Sequence, residues 1–180
     1  MVDLGAGDGS FVVATAAANP AVLVIGIDAH GLAMARAGRH LQRRRLPNAL
    51  LVEARAEELP AELDGLAGDV RVHFPWGSLL RGLVEADPRI ASGLARITRP
   101  GARVTALLSV TERERGLELA PLNASLGELL AARYAPFGLA LSEWRPASDS
   151  EIAAARSSWA KRLGAGAHRE TWLLRLVAGA

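Results

Sequence analysis

The first nine residues carry the densest chemistry in the chain. Val2-Asp3-Leu4 reads as a short strand, and Gly5-Ala6-Gly7-Asp8-Gly9 follows as a glycine turn leading into an apolar helix. Glycines let the backbone bend sharply and let a ligand approach where a Cβ would stand in the way. A second apolar run ends in Gly26-Ile27-Asp28, roughly the ~20 residues downstream at which an acid accepts hydrogen bonds from ribose hydroxyls. Together the two features predict a site for an adenosine-bearing cofactor. Asp28 could also act as the N-cap of the helix that Ala29 opens.

Two cofactors compete for such a site, a nicotinamide dinucleotide and S-adenosyl-L-methionine. The spacing is G-x-G-x-G rather than G-x-G-x-x-G. A dinucleotide rests its pyrophosphate on the helix N-terminus, and a carboxylate inside the turn would repel it. S-adenosylmethionine has no phosphate and carries an ammonium and a sulfonium, cations that Asp3 and Asp8 suit. Both acids therefore favour methyl transfer. After the third strand comes Glu53-Ala-Arg-Ala56-Glu57-Glu58-Leu-Pro60, where methyltransferases of this fold place residues around the adenine, so Ala56 and Glu57 join the candidate cofactor set. Glu57 and Glu58 could equally be solvated acids in the first turn of a short helix.

His73-Phe74-Pro75-Trp76-Gly77-Ser78 follows the fourth strand, at the carboxyl end of a strand where parallel sheets bind ligands. Enzymes that methylate exocyclic amines place an Asn, Asp or Ser before the prolines at this point, and its oxygen accepts from the amine. Phe74 cannot accept, so the expected target is a ring nitrogen with a lone pair of its own. An exposed tryptophan here can stack on a base, worth about 1–3 kcal/mol; the alternative is a Trp76 packed into the core. Ser157-Ser158-Trp159-Ala160-Lys161-Arg162 sets a second tryptophan among cations, a π face for a base beside charges for phosphate. Trp76 and Trp159 could sandwich a base drawn out of its stack. Trp144 and Trp172 fall on expected strands and read as core. His30, His40, His73 and His168 share no metal-ligand spacing, so no metal is expected.

The elements that must position these residues alternate as βαβα, which predicts a mostly parallel sheet covered by helices on both faces. Strands are expected at Val2–Leu4, Val22–Ile27, Ala49–Val52, Val70–Phe74, Arg103–Ser109, Leu139–Glu143 and Trp172–Leu176. Helices are expected at Ser10–Ala18, Leu32–Arg44 and Pro88–Ile97, each ending ahead of a proline, and from Pro121 to about Tyr134, with a last one from Ser150 capped by Asp149. No repeat or linker divides the 180 residues, so one domain is expected over 1–180. The opening strand is unusually short. It predicts that a leading segment is missing or that the strand is stunted.

Half the residues are hydrophobic and 22% are charged, with no cysteine. That excludes a disulfide scaffold and thiol chemistry and predicts a cytoplasmic enzyme with no membrane span. Of 21 basic residues only Lys161 is a lysine. Part of this bias is compositional background, yet its placement is uneven. Arg36, Arg39, Arg43, Arg44 and Arg45 cluster without an acid, and five basic residues from Arg156 to Arg175 face Glu170 alone. Such basic faces suit a polyanion or are simply solvated.

Taken together, Asp3-Leu-Gly-Ala-Gly-Asp8-Gly, Gly26-Ile-Asp28, Phe74-Pro-Trp76-Gly-Ser78-Leu-Leu and Ser157-Ser-Trp159-Ala-Lys-Arg-Leu strongly resemble the aminoglycoside-resistance 16S ribosomal RNA (adenine-1408, N1) methyltransferases. The match runs in order over nearly the whole chain. The resemblance implies a class I, Rossmann-like methyltransferase with a seven-stranded sheet, acting as a monomer on 16S rRNA in the assembled small subunit. It implies a flipped adenine between Trp76 and Trp159, with Ser157 near the base and Ser78 beside the cofactor. Arg162, Arg169 and the Arg43–Arg45 run look like the family's rRNA-docking positions, although the run could also complement a helix C-terminus. Against the family pattern, the N-terminal segment that usually precedes the glycine turn is missing. Three other readings stay open: a tRNA guanine-N7 methyltransferase, an RNA-binding remnant without cofactor, and, less well matched to the arginine faces, a small-molecule methyltransferase.

Overall fold

The computed structural model of the protein describes residues 1–110, 119–156 and 170–179. Seven strands form one sheet: β1 (Val2–Leu4), β2 (Val24–Asp28), β3 (Ala49–Glu53), β4 (Ala67–His73), β5 (Thr98–Leu108), β6 (Leu139–Pro146) and β7 (Trp172–Ala178). Their order is β3-β2-β1-β4-β5-β7-β6. The first five run parallel, and β7 pairs antiparallel with both β5 and β6. Short as it is, β1 lies inside the sheet between β2 and β4, with Val2 paired to Ile25 on one side and to Val70 on the other. From β1 the chain winds outward through β2 to β3, then returns to β4 on the opposite side. This reversal leaves a crevice at the carboxyl ends of β1 and β4.

The helices are α1 (Ser10–Ala18), α2 (Gly31–Arg44), α3 (Gly77–Glu85), α4 (Pro88–Ile97), α5 (Leu126–Tyr134) and α6 (Asp149–Ala154). Strand periodicity distributes them over two faces, because successive side chains point to opposite sides. Ile25 and Ile27 of β2 join the large core with Leu80, Leu83, Ile90, Leu94 and Leu130, residues of α3, α4 and α5. Val24 goes the other way, to Val12, Ala16 and Met34 of α1 and α2. Helix α1 packs closely on the sheet: a Cβ added to Gly26 would lie 2.7 Å from a Val12 methyl.

Capping explains most of the boundaries. Asp87 accepts from the Arg89 N–H and Pro88 occupies the first helical turn, so α4 begins where the sequence places it. Six starts differ from the sequence reading: α2 begins at Gly31 rather than Leu32, β4 at Ala67 rather than Val70 and β5 at Thr98 rather than Arg103, and the other three have local causes. Helix α5 begins at Leu126 rather than Pro121; Asn123 instead accepts from Ser125 Oγ and its carbonyl accepts from Trp144 Nε1. Ser148, not Asp149, caps α6, through a reciprocal capping box with Glu151. Val22 and Leu23 precede β2 in a turn, with the Val22 N–H donating to the Asn19 carbonyl. Helix α3 was missed, because the Phe-Pro-Trp-Gly block reads as loop and the helix starts directly behind it.

Tyr134 ties the two halves of the large core together. Its ring is fully buried and its hydroxyl donates to the Leu83 carbonyl at 2.7 Å, while burial pushes the phenol's pKa well up. Tyr134→Phe keeps the ring and removes the hydroxyl that donates to the Leu83 carbonyl. A net loss of about 1–2 kcal/mol is expected in urea unfolding, with unchanged m-value.

Candidate functional site

The glycine turn is fastened to the end of β2. Gly5 and Ala6 N–H groups both donate to the Ile27 carbonyl at 2.8 and 2.9 Å, and the Gly7 N–H donates to Asp28 Oδ2 at 2.8 Å. The other Asp28 oxygen accepts from the His30 N–H at 2.9 Å. Asp28 therefore closes a local turn and holds the glycine loop; His30 is the N-cap residue of α2 and has no side-chain cap bond. Gly7 has φ +55°, and nothing lies within 4 Å of where its Cβ would be. The turn thus presents bare backbone to open space.

That space is a cleft of about 560 Å³ at the crevice between β1 and β4, within the range of small-molecule sites. Asp3, Gly5, Gly7, Asp8 and Asp28 line it from the first two strands and the turn, Ala56 and Glu57 from the segment after β3, and Trp76 and Ser78 from the start of α3. Every candidate cofactor residue named from the sequence is thus in one cavity. His30, Phe11, Arg55, His73 and Arg156 also line it, and sequence reasoning assigned none of them a role in the cofactor site. For His73 a signal existed, since it ends a parallel strand next to the glycine strand.

Asp3 is 2% exposed, and its Oδ1 has no hydrogen-bond partner among the described residues. A buried, unpaired carboxylate oxygen is costly, about 1–3 kcal/mol or more. A cation entering the cleft would relieve it. Asp8 sits differently, accepting from the Ser10 N–H at 3.0 Å at the start of α1. Glu57 lies in a turn rather than a helix, its side chain only 8% exposed and 3.6 Å from Arg55. Among the described residues no cluster of metal ligands occurs.

Trp76 stands at the rim. It is 62% exposed, which excludes the core alternative, and the imidazole of His30 lies 6.2 Å from it at 26° between ring planes. Phe74 aims it. Phe74 is buried yet has φ 51°, a conformation that costs of order 1–3 kcal/mol for such a residue. Its N–H still donates to the Leu107 carbonyl at 2.9 Å, so β4 ends in a sharp turn that carries Pro75 and Trp76 outward. Trp172 is buried, whereas Trp144, expected in the core, is only half-buried and stacks on Trp172 at 4.8 Å. Arg43, Arg44 and Arg45 are exposed at the end of α2 and make no ion pair with any described residue. Ser157, Trp159, Lys161, Arg162 and Arg169 lie outside the described residues.

Helix α6 leads into that segment, and charge holds its start. Arg145 donates to both Glu151 oxygens at 3.0 and 2.8 Å, and Ser148 donates to the same carboxylate. Chiefly through the Arg145 bond, Glu151 is held down from its ordinary 4.5 to about 2. A lowered carboxylate pKa stabilises the fold above the ordinary value and ceases to do so as pH falls toward the folded one. Loosening of α6 is therefore expected between pH 4.5 and about 2, read by the Glu151 carboxyl chemical shift, and Arg145→Gln should move that titration upward.

Strand order, cleft and donor set define a Rossmann-like, S-adenosylmethionine-dependent methyltransferase. The comparisons narrow the class. Residues 1–178 match the family described as NpmA: 16S rRNA (adenine(1408)-N(1))-methyltransferase. A 16S rRNA (adenine(1408)-N(1))-methyltransferase from Streptoalloteichus tenebrarius is 37% identical over 172 residues, 91% of this chain and 79% of that protein. The enzyme of that name from Catenulisporales acidiphilia, a tryptophan variant crystallised with cosubstrate SAM, has 31% identity and a TM-score of 0.87, covering 99% of this chain and 85% of that one. The 16S rRNA methyltransferase KamB gives 33% and 0.86, covering 99% and 87%. The chain belongs to the 16S rRNA (adenine(1408)-N(1))-methyltransferase family.

Proposed function

We propose that this chain, as one methyltransferase domain and as a monomer, methylates N1 of adenine 1408 of 16S rRNA in the assembled small ribosomal subunit and thereby confers aminoglycoside resistance. The observation that carries the reading is an exposed tryptophan, Trp76, held at the rim of a carboxylate-lined cleft of about 560 Å³. The buried carboxylate of Asp3, the open backbone at Gly7 and the carboxylate of Asp28 suit an ammonium, a close-lying ligand and ribose hydroxyls in turn. S-adenosylmethionine supplies an activated methyl group and a positive charge there. No helix of the described residues is long and apolar enough to cross a membrane, in keeping with action on ribosomes in the cytoplasm.

Adenine N1 is a nucleophile when unpaired and has no proton to surrender. The chain therefore needs no general base; it has to hold the base in line, and positioning of this kind supplies much of a rate enhancement. Trp76, and Trp159 beyond the described residues, would take the flipped base between their faces. As the methylated ring becomes cationic, aromatic faces stabilise it. Ser157 would lie near the base and Ser78 beside the cofactor. The unpaired cations Arg43, Arg44 and Arg45, with Lys161, Arg162 and Arg169, would contact rRNA phosphate, which gives affinity and salt dependence rather than base choice.

Primer extension on 16S rRNA from cells expressing the chain tests this: a stop next to adenine 1408 is expected. Methyl transfer to tRNA but not to small subunits would overturn it. With Trp76→Ala the stop and the resistance to kanamycin and apramycin should fall sharply, while calorimetry with S-adenosylmethionine still shows binding.

A further inference from the structure

His73 ends β4 one step below the Phe-Pro-Trp turn, and its side chain is 10% exposed. Its Nδ1 is buried without a hydrogen-bond partner. So is Asp3 Oδ1, and the two atoms lie 3.4 Å apart across β1 and β4. Two orphaned polar atoms facing each other on the wall of one cleft are rarely accidental, since each alone is unfavourable. Hydrogen bonds in empty sites are often long or poorly aligned and tighten when the ligand arrives. The Phe11 ring packs against the imidazole at 4.5 Å and 66° between ring planes.

The geometry points to His73 as a positioning residue for the cofactor: its Nδ1–H donates to Asp3 Oδ1 and fixes the carboxylate so that the remaining oxygen meets the cofactor's ammonium. This rests on the reading of the cleft as an S-adenosylmethionine site. From β5 His73 is paired with Leu107 and from α1 it meets Phe11. On its own strand Arg71 is paired with Asp69 at 2.9 Å, and the other ionisable residues of the cleft wall are Asp8, Asp28, His30, Arg55, Glu57 and Arg156.

Calorimetric titration of the full chain with S-adenosylmethionine decides the matter. His73→Leu removes the donor and should weaken binding about tenfold. His73→Asn places an amide N–H where Nδ1 stands, and should keep affinity within about twofold. Thermal unfolding of the variants separates folding from binding. Equal affinity of His73→Leu and wild type would overturn the role, as would His73→Asn binding as poorly as His73→Leu. Should His73→Leu not fold, His73→Asn still decides, because a folded His73→Asn that binds about tenfold more weakly than the wild type overturns the role. A wild-type chain that binds no S-adenosylmethionine at any pH would instead overturn the reading of the cleft itself.

Discussion

The site depends on the carboxylate of Asp28 holding the Gly7 N–H at 2.8 Å. With the two bonds from Gly5 and Ala6 to the Ile27 carbonyl, it welds the glycine turn to the end of the neighbouring strand. The turn cannot then fold over the carboxyl end of β1, and Asp3 is left facing the crevice. Without this weld a three-residue strand would give its loop little support. With it, α1 starts at a fixed place and angle, and a shared backbone scaffold presents both acids, one through its strand and one through its turn.

Charge divides between the cleft and the surface in a way that suits a cationic small molecule and a polyanionic large one. Acids concentrate on the cleft wall at Asp3, Asp8, Asp28 and Glu57. Arginines concentrate on the outside, where Arg36, Arg39, Arg43, Arg44 and Arg45 are exposed. Exposed arginines with no acid partner retain their full attraction for phosphate, and it is screened over about 8 Å at physiological salt. Buried acids in a narrow crevice are screened far less. The outer surface therefore favours phosphate more than the cleft does.

Much of this was legible because period and punctuation are local. The βαβα rhythm pointed to parallel strands, as β1 to β5 are, and the expected start of α4 at Pro88 agrees to the residue. The cleft was legible too, since a glycine turn, an acid at a strand end and a strand-end loop converge wherever the strand order reverses. What escaped depended on contacts between distant segments. Ser148 outcompetes Asp149 as a cap only because Glu151 returns the bond and Arg145 from β6 anchors it. The late start of α5 follows from Asn123 being engaged by Trp144 of β6. His73 escaped for the same reason: its meaning lies in an atom of β1 that sequence spacing places seventy residues away.

The strained Phe74 turn shows why the tryptophan sits where it does. An extended Phe74 would carry the chain onward along β4 and lay Pro75 and Trp76 over the sheet end, where an indole buries readily. Turning at φ 51° while its ring stays in the apolar cluster with Leu107 and Leu173, Phe74 keeps its own burial and denies it to Trp76. The next residue but one then becomes the N-cap of α3, in an extended conformation. Helix α3 is anchored beneath by Leu80 and Leu83, both fully buried. The exposed ring is thus mounted on rigid structure on both sides, which limits the freedom it has left to lose in any contact.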